Sequence, residues 1–197
     1  MKTHREEEFL EWAAGHGIGL DERHPDSAVL TFKPDPGLNR FWVVPPQPER
    51  RPYFLALMLD LAGDWRSCWV WRHMGSWPER PDPDRPNNRV EFQILKGIGM
   101  PMGTGDIAEF ERAERDQLIT LLFSTTIFGW SVGEDLYVVP NHTQYIIKAS
   151  HHNVVHLSFR NLNDLQQFIN GMEEEEFWLP KVVPDPTFKI PEWMKDE

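Results

Sequence analysis

Short runs of β-branched and aromatic residues, separated by Pro, Gly and Asp, dominate the first half of this sequence. They are SAVLTF (27–32), RFWVV (40–44), YFLALML (53–59) and SCWVW (67–71). Such runs are typical of β-strands, because these side chains pack well on a pleated, half-buried surface. The pattern predicts strands of a mainly antiparallel sheet.

The second half continues this pattern. Residues 90–95 predict a further strand, and EDLYVVPNHTQYIIKASHHNVVHLSF (134–159) predicts three strands joined by tight turns. In the last hairpin we expect Ala149 opposite Asn153, with Ile147 opposite Val155 and Tyr145 opposite Leu157. This register places apolar residues opposite one another across the two strands.

Three helices are predicted. Residues 5–16 place apolar side chains at helical spacing, and Gly17 can end that helix. A second helix is expected to begin near Asp106, which forms a capping box with Glu109 three residues later. The third spans about 162–170. Asn161 serves as its N-cap and Gly171 as its terminator.

These elements predict an α+β fold in which about three helices pack against the sheet in a single compact domain. We assign residues 1–179 to this domain and residues 180–197 to a Pro-rich acidic tail. A Pro-rich loop at 77–89 allows two sub-halves, 1–76 and 90–179, because proline lacks the amide donor that regular pairing needs.

Charge and composition limit the partners. The formal net charge of −11 repels phosphate backbones and anionic lipid surfaces, so we expect neither nucleic acid nor membrane as a partner. Acidic residues occupy the N-terminus where a signal peptide needs an apolar run, and there is one cysteine. The sequence predicts a soluble cytoplasmic protein of unknown oligomeric state.

Three histidines cluster at His151, His152 and His156. An extended strand would separate His152 and His156 by roughly 13 Å, too far for one zinc ion, so we predict no metal site and no cofactor. His151 and His152 are expected at an exposed turn. The alternative is a hydrolase with a histidine-containing cleft near 151–156, in which Glu134 or Asp135 orients the histidine.

Cysteine and glycine offer weaker signals. Cys68 lies between aromatic residues, which predicts a small buried side chain; a reactive thiolate is the alternative. The glycines in 97–105 lack the spacing of a phosphate-binding loop.

Tryptophan is the residue type that most invites a binding role. Trp69 and Trp71 share one strand face by the two-residue period, while Trp65 and Trp77 lie near the strand ends. Packing in the core is the main expectation. The alternative is an aromatic platform for a protein loop or a sugar ring.

An acidic run follows the last predicted helix and comprises Glu173, Glu174, Glu175 and Glu176. Negative charge at a helix C-terminus opposes the helix dipole, so the run is not explained by helix stability. It is either a solvated end or a docking surface for a Lys- or Arg-rich partner.

Taken as a whole, the sequence favours a non-catalytic protein-binding module of inhibitor or immunity type that engages a basic partner. We predict no catalytic residues, since no coherent catalytic constellation is present. The hydrolase remains one alternative, and a carbohydrate-binding protein that uses exposed tryptophans remains another.

Overall fold

A computed structural model describes residues 1–21, 29–72, 77, 86–100, 107–132, 135–150 and 153–181 of the chain. Several positions from the sequence analysis lie outside these residues. They are residues 27 and 28 of the first predicted strand, most of the Pro-rich loop, Asp106, Glu134, His151, His152 and residues 182–197.

Seven of the nine strands in the described part of the chain form one antiparallel sheet. Its strands are β1 (Lys2–His4), β4 (Asn39–Val43), β5 (Ser67–Arg72), β6 (Ile107–Glu111), β7 (Leu136–Pro140), β8 (Tyr145–Ser150) and β9 (Val154–Phe159). Their spatial order is β1-β6-β5-β7-β8-β9-β4. The remaining two strands, β2 (Ile18–Asp21) and β3 (Val29–Phe32), form a separate ribbon.

Five α-helices occur in the same described residues. They are α1 (Glu6–Gly15), α2 (Arg51–Leu61), α3 (Pro86–Gly97), α4 (Arg115–Val132) and α5 (Leu162–Glu174). Strands from both sides of the Pro-rich loop lie in one sheet, because β6 is hydrogen-bonded to β5.

The sheet buries residues on both faces. Cys68 and Val70 of β5 face a large core that includes side chains of α2, α4 and α5, and neither residue is exposed. On the other face, Trp71 packs in a second core with Phe9 of α1 and Phe32 of the β2–β3 ribbon. The two-residue period of a strand therefore sends alternate residues of β5 into different cores.

The α+β class and the antiparallel sheet are confirmed, but the helix number is higher than the predicted three. Residues 53–59 were expected to be a strand and instead lie in α2. The buried residues Phe54, Leu55, Met58 and Leu59 recur at i, i+1, i+4 and i+5, which is a helical spacing. Leu, Met and Ala favour a helix, and a proline occupies its first turn.

The predicted strand at 90–95 is also wrong, since these residues belong to α3. Glu91 and Leu95 are buried four residues apart, whereas Val90 is 46% exposed. One side of a helix explains this distribution, and alternation along a strand does not.

The helix predicted to begin near Asp106 starts later. Ile107–Glu111 forms β6, which pairs with β1 on one side and β5 on the other, so Glu109 lies in a strand and not in the first turn of a helix. A box with the same spacing lies at Glu111 and Glu114, where the Glu111 amide donates to the Glu114 carboxylate at 2.9 Å. Strand partners distant in sequence override the local helix signal here.

The three-strand meander β7-β8-β9 is confirmed, but the predicted register of its last hairpin is two residues out. Ala149 lies opposite Val155, Ile147 opposite Leu157 and Tyr145 opposite Phe159. Asn153 has a φ of 59° and belongs to the turn rather than the strand. A shift of two residues keeps every side chain on its expected face.

The first and last predicted helices are confirmed as α1 and α5. The Asn161 side chain accepts a hydrogen bond from the Asp164 amide at 2.9 Å, as expected of an N-cap. Gly171 does not end α5, which continues to Glu174. A Cβ at Gly171 would collide with the Leu61 side chain of α2, so glycine permits the close approach of the two helices.

Replacement of Asn161 by Ala tests the cap of α5. We expect Asn161→Ala to lower the free energy of unfolding by about 1 kcal/mol, because the Asp164 amide loses its acceptor. Asn161→Ser, which retains an acceptor oxygen, should stay close to the wild type in chemical denaturation. Equal losses in both variants would contradict the capping role.

Candidate functional site

The four tryptophans considered as a binding platform differ in accessibility. Trp65, Trp71 and Trp77 are only 1–3% exposed. Trp65 donates its indole N–H to the Leu59 carbonyl at 3.1 Å, and Trp71 donates to the Glu6 carboxylate at 2.8 Å. Three of the four are thus core residues whose faces a ligand cannot reach, and only Trp69 is partly accessible.

Trp69 joins an aromatic stack on the α1 side of the sheet. Its ring centroid lies 4.5 Å from that of His4 and 5.2 Å from that of Trp12, which in turn lies 4.7 Å from His16. Trp12 and Trp69 also pack against the second core. Neighbouring rings therefore cover much of the Trp69 surface.

The acidic run begins inside α5 and continues past its end. Glu173 and Glu174 occupy the last turn, Glu175 is the C-cap, and Glu176 has a φ of 64°. Glu174, Glu175 and Glu176 are exposed. The first two residues of the run therefore lie in α5, and the side chains of its last three residues are exposed.

Two exposed aromatic residues lie with this run. Tyr53 of α2 is 50% exposed, and Trp178 is 64% exposed. The Tyr53 hydroxyl donates a hydrogen bond to the Glu175 carboxylate at 2.6 Å. We call Tyr53, Glu173–Glu176 and Trp178 the acidic–aromatic surface.

Phe177 attaches this surface to the core. It is 7% exposed, and its ring centroid lies 5.1 Å from that of Phe54. Its carbonyl accepts a hydrogen bond from the Trp42 indole at 3.2 Å, and the Arg50 guanidinium lies 4.9 Å from its ring centroid. The backbone next to Trp178 is therefore fixed, although the Trp178 side chain is exposed.

Sequence reasoning found the acidic run but missed Tyr53 and Trp178. Tyr53 was assigned to a strand, which hid its place at the N-terminal end of α2. Trp178 directly follows Phe177 after the run, and that pair of aromatic residues beside four glutamates was the available signal.

Of the three clustered histidines, only His156 lies among the described residues. It is exposed and faces away from Val155 and Leu157, as the strand period predicts. Its cross-strand neighbours are Lys148 and Phe41. In the described parts of the chain, no group of three His, Cys, Asp or Glu residues could hold a metal ion.

A cleft of about 330 Å³ lies beside His156, between the β2–β3 ribbon and the sheet. Lys148 lines it and forms a 2.7 Å ion pair with Asp135. Burial lowers the pKa of Lys148, but the neighbouring Tyr137 and Asp135 outweigh that effect, so the pKa is raised overall. Burial has the opposite effect on Tyr137 and raises the pKa of its phenol, because ionisation would place a negative charge in the core. Lys148 is therefore a cation and Tyr137 a neutral phenol at physiological pH.

Cys68 is fully buried, as the sequence predicts. Burial raises the pKa of its thiol well above the ordinary value, because a thiolate is poorly solvated in the core. The thiol is therefore protonated and inaccessible to a substrate.

Comparison of the chain with protein-family models, curated proteins and solved structures finds no match. No helix within the described residues has the length and apolar character needed to cross a membrane.

All three tyrosines of the chain have raised pKa values in the folded state. For Tyr53 the main cause is the hydrogen bond to Glu175, whereas for Tyr137 and Tyr145 it is burial. A raised folded-state pKa stabilises the protein below the unfolded-state pKa and loses that contribution as pH rises. We expect stability to fall above about pH 10, where unfolded-state tyrosines ionise.

An alkaline absorbance titration with Glu175→Ala tests the Tyr53 contact. We expect one tyrosine of this variant to ionise closer to the ordinary pKa of about 10, because its hydroxyl has lost the carboxylate acceptor. Glu174→Ala is the matched control and should titrate like the wild type. If both variants match the wild type, the Tyr53–Glu175 contact does not form in solution.

Proposed function

We propose that this protein is a non-catalytic binding module of inhibitor or immunity type, which engages a basic protein partner through the acidic–aromatic surface. The observation that carries this proposal is the exposure of Trp178 and Tyr53 beside four consecutive glutamates. Exposed Trp and Tyr supply large contact areas and are enriched among the residues that dominate binding energy.

Charge supports the same kind of partner. The net charge of −11 attracts a basic protein over distance, and the carboxylates of Glu174–Glu176 concentrate negative charge next to the aromatic contacts. This arrangement favours fast, salt-sensitive association with a surface rich in Lys and Arg.

Rigidity adds to the argument. Tyr53 is held by its hydrogen bond to Glu175, and Phe177 is buried beside Trp178. A surface whose contacts are already ordered loses less conformational entropy when a partner binds.

The two alternatives find less support. The hydrolase alternative rests on His151 and His152, which lie outside the described residues, and Cys68 offers it no nucleophile because its thiol is buried and has a raised pKa. A carbohydrate platform built on the predicted tryptophans loses Trp65, Trp71 and Trp77 to the core.

Native mass spectrometry on tagged protein recovered from its own cells tests the proposal. We expect a stoichiometric basic protein to accompany the wild type. The triple variant Glu174→Lys, Glu175→Lys, Glu176→Lys should lose it, because the carboxylates then become repulsive to a basic surface. Trp178→Ala should weaken the purified complex by about tenfold or more if Trp178 dominates the contact.

Two controls separate the site from general effects. Glu11→Lys, Asp64→Lys, Asp116→Lys makes the same charge change at exposed positions outside the acidic–aromatic surface. Leu162→Ala removes another side chain that is 64% exposed. Both should keep the partner. A partner that survives the Glu174–Glu176 reversal and Trp178→Ala, or is lost equally from the controls, would contradict the proposed surface.

A further inference from the structure

Strand β4 forms one edge of the seven-stranded sheet, and β1 forms the other. Among the described residues, β4 pairs with β9 alone. The exposure of its side chains shows that this edge is open, since Asn39 and Arg40 are exposed and Val43 is 46% exposed. An open edge strand offers unpaired backbone N–H and C=O groups to another strand.

The pairing with β9 determines which backbone groups of β4 point outward. Just before β4, the Leu38 carbonyl accepts from the Phe159 amide at 3.0 Å. Just after it, the Val44 amide donates to the Asn153 carbonyl at 2.9 Å. In an antiparallel pair, residues that bond to the neighbouring strand alternate with residues whose backbone groups point away from it. The residues whose backbone groups face the open edge are therefore Asn39, Phe41 and Val43.

One side-chain contact agrees with this orientation. The Arg40 guanidinium donates to the Asn39 carbonyl at 2.7 Å. Because the Arg40 side chain is exposed, the carbonyl that it reaches lies on the solvent side of β4 and not on the side of β9. The Asn39 carbonyl is therefore accessible to a donor from outside the sheet.

The other edge of the sheet is better protected against pairing. Strand β1 has three residues, and Lys2 within it forms a 3.2 Å ion pair with Glu111. The amino group of Met1 pairs with Glu114. Short edge strands and charged side chains are common means of preventing edge-to-edge contact. Strand β4 has five residues, of which Arg40 alone is charged, so it is the edge better able to accept another strand.

We propose that β4 pairs antiparallel with β4 of a second copy of this chain, about a twofold axis at Phe41. This symmetry places Phe41 opposite Phe41 of the second copy and Asn39 opposite Val43, and each pair exchanges two backbone hydrogen bonds. The outward backbone groups of β4 are therefore complementary to themselves. The exposed Val43 side chain lies diagonal to Phe41 of the second copy, which covers it.

Charge complementarity favours a second copy as the occupant of this edge. The same symmetry places Arg40 opposite Trp42 of the second copy, on the same face of the sheet. The Trp42 indole is bonded to the Phe177 carbonyl, directly after the acidic run 173–176. Arg40 of each copy thus approaches the acidic run of the other. This local attraction opposes the repulsion between two chains that each carry a net charge of −11.

Sedimentation equilibrium of the purified chain tests the proposal without the basic partner of the proposed function. At about 0.15 M salt, where charge repulsion is screened beyond roughly 8 Å, we expect the mass to rise with concentration from one chain toward two. Val43→Lys should weaken the dimer by about tenfold or more, because a charged side chain resists burial between strands. Val90→Lys makes the same change at another valine that is 46% exposed and should dimerise like the wild type.

Reversal of one charge tests the contact with the acidic run. Arg40→Glu should weaken the dimer, because the new carboxylate lies beside the glutamates of the second copy. Arg89→Glu is the matched control, since it makes the same charge change at an exposed position in α3 and should leave the dimer unchanged. Thermal unfolding should show that these variants still fold.

Cysteine cross-linking tests the position of the axis. Opposite residues of a hydrogen-bonded pair have Cα atoms about 5.5 Å apart, which a disulfide can span. Phe41→Cys should therefore give a disulfide-linked dimer on mild oxidation. Val43→Cys is the control, because the two copies of that position lie roughly 14 Å apart and should not be linked. The native Cys68 is buried and does not interfere.

Three results would overturn the inference. One is a mass that stays at that of one chain up to about 1 mM, which would leave the edge to a strand of a different protein. Another is a dimer that neither Val43→Lys nor Arg40→Glu weakens. The third is a disulfide in Val43→Cys and none in Phe41→Cys, which would place the contact elsewhere.

Discussion

Burial of the central strands β5 and β7 on both faces is the constraint on which the rest of this structure depends. Val70 and Val138 face the core that contains side chains of α2, α4 and α5. Trp71 and Tyr137 face α1 and the β2–β3 ribbon. A sheet with two apolar faces needs a layer on each side, because exposed apolar area costs free energy in water. The chain therefore places α2, α4 and α5 on one face of the sheet, and α1 with the β2–β3 ribbon on the other.

The two layers lead to two different surfaces. On the side of α2, α4 and α5, the lack of a side chain at Gly171 of α5 leaves room for Leu61 of α2. Beyond the end of α5, Phe177 packs against Phe54. That packing brings Tyr53 to the acidic run. On the other side, the β2–β3 ribbon lies over the sheet and leaves the polar cleft beside Lys148. Each surface thus follows from the way one face of the sheet is covered.

The sequence predicted correctly those elements that depend on interactions between residues close together in the chain. Strand-forming runs separated by turn residues predicted the β7-β8-β9 meander, and Asn161 as an N-cap predicted the start of α5. The strand predicted at 53–59 was wrong because a short apolar run suits a buried strand as well as a buried helix. The strand predicted at 90–95 was wrong because apolar residues alternate with Glu91 and Gln93 there, although the helix buries Glu91 and Leu95. The strand β6 was not predicted, because its pairing partners β1 and β5 are distant in sequence.

The candidate surfaces show the same division. A charge run is visible in sequence, so Glu173–Glu176 was found, but the approach of Tyr53 requires the packing of α2 against α5. The burial of Trp71 depends on α1, as its bond to Glu6 shows, and no local pattern reports that contact. The cleft joins residues from six strands and a loop, so no spacing along the chain could reveal it.

Hydrogen–deuterium exchange of the protein with its recovered partner tests the central claim most directly. Binding through the acidic–aromatic surface predicts slower exchange at residues 173–178 and in the first turn of α2, with little change at β2 and β3. Unchanged exchange at residues 173–178, together with protection of the β2–β3 ribbon or α1, would contradict it. That result would place the partner on the opposite face of the sheet.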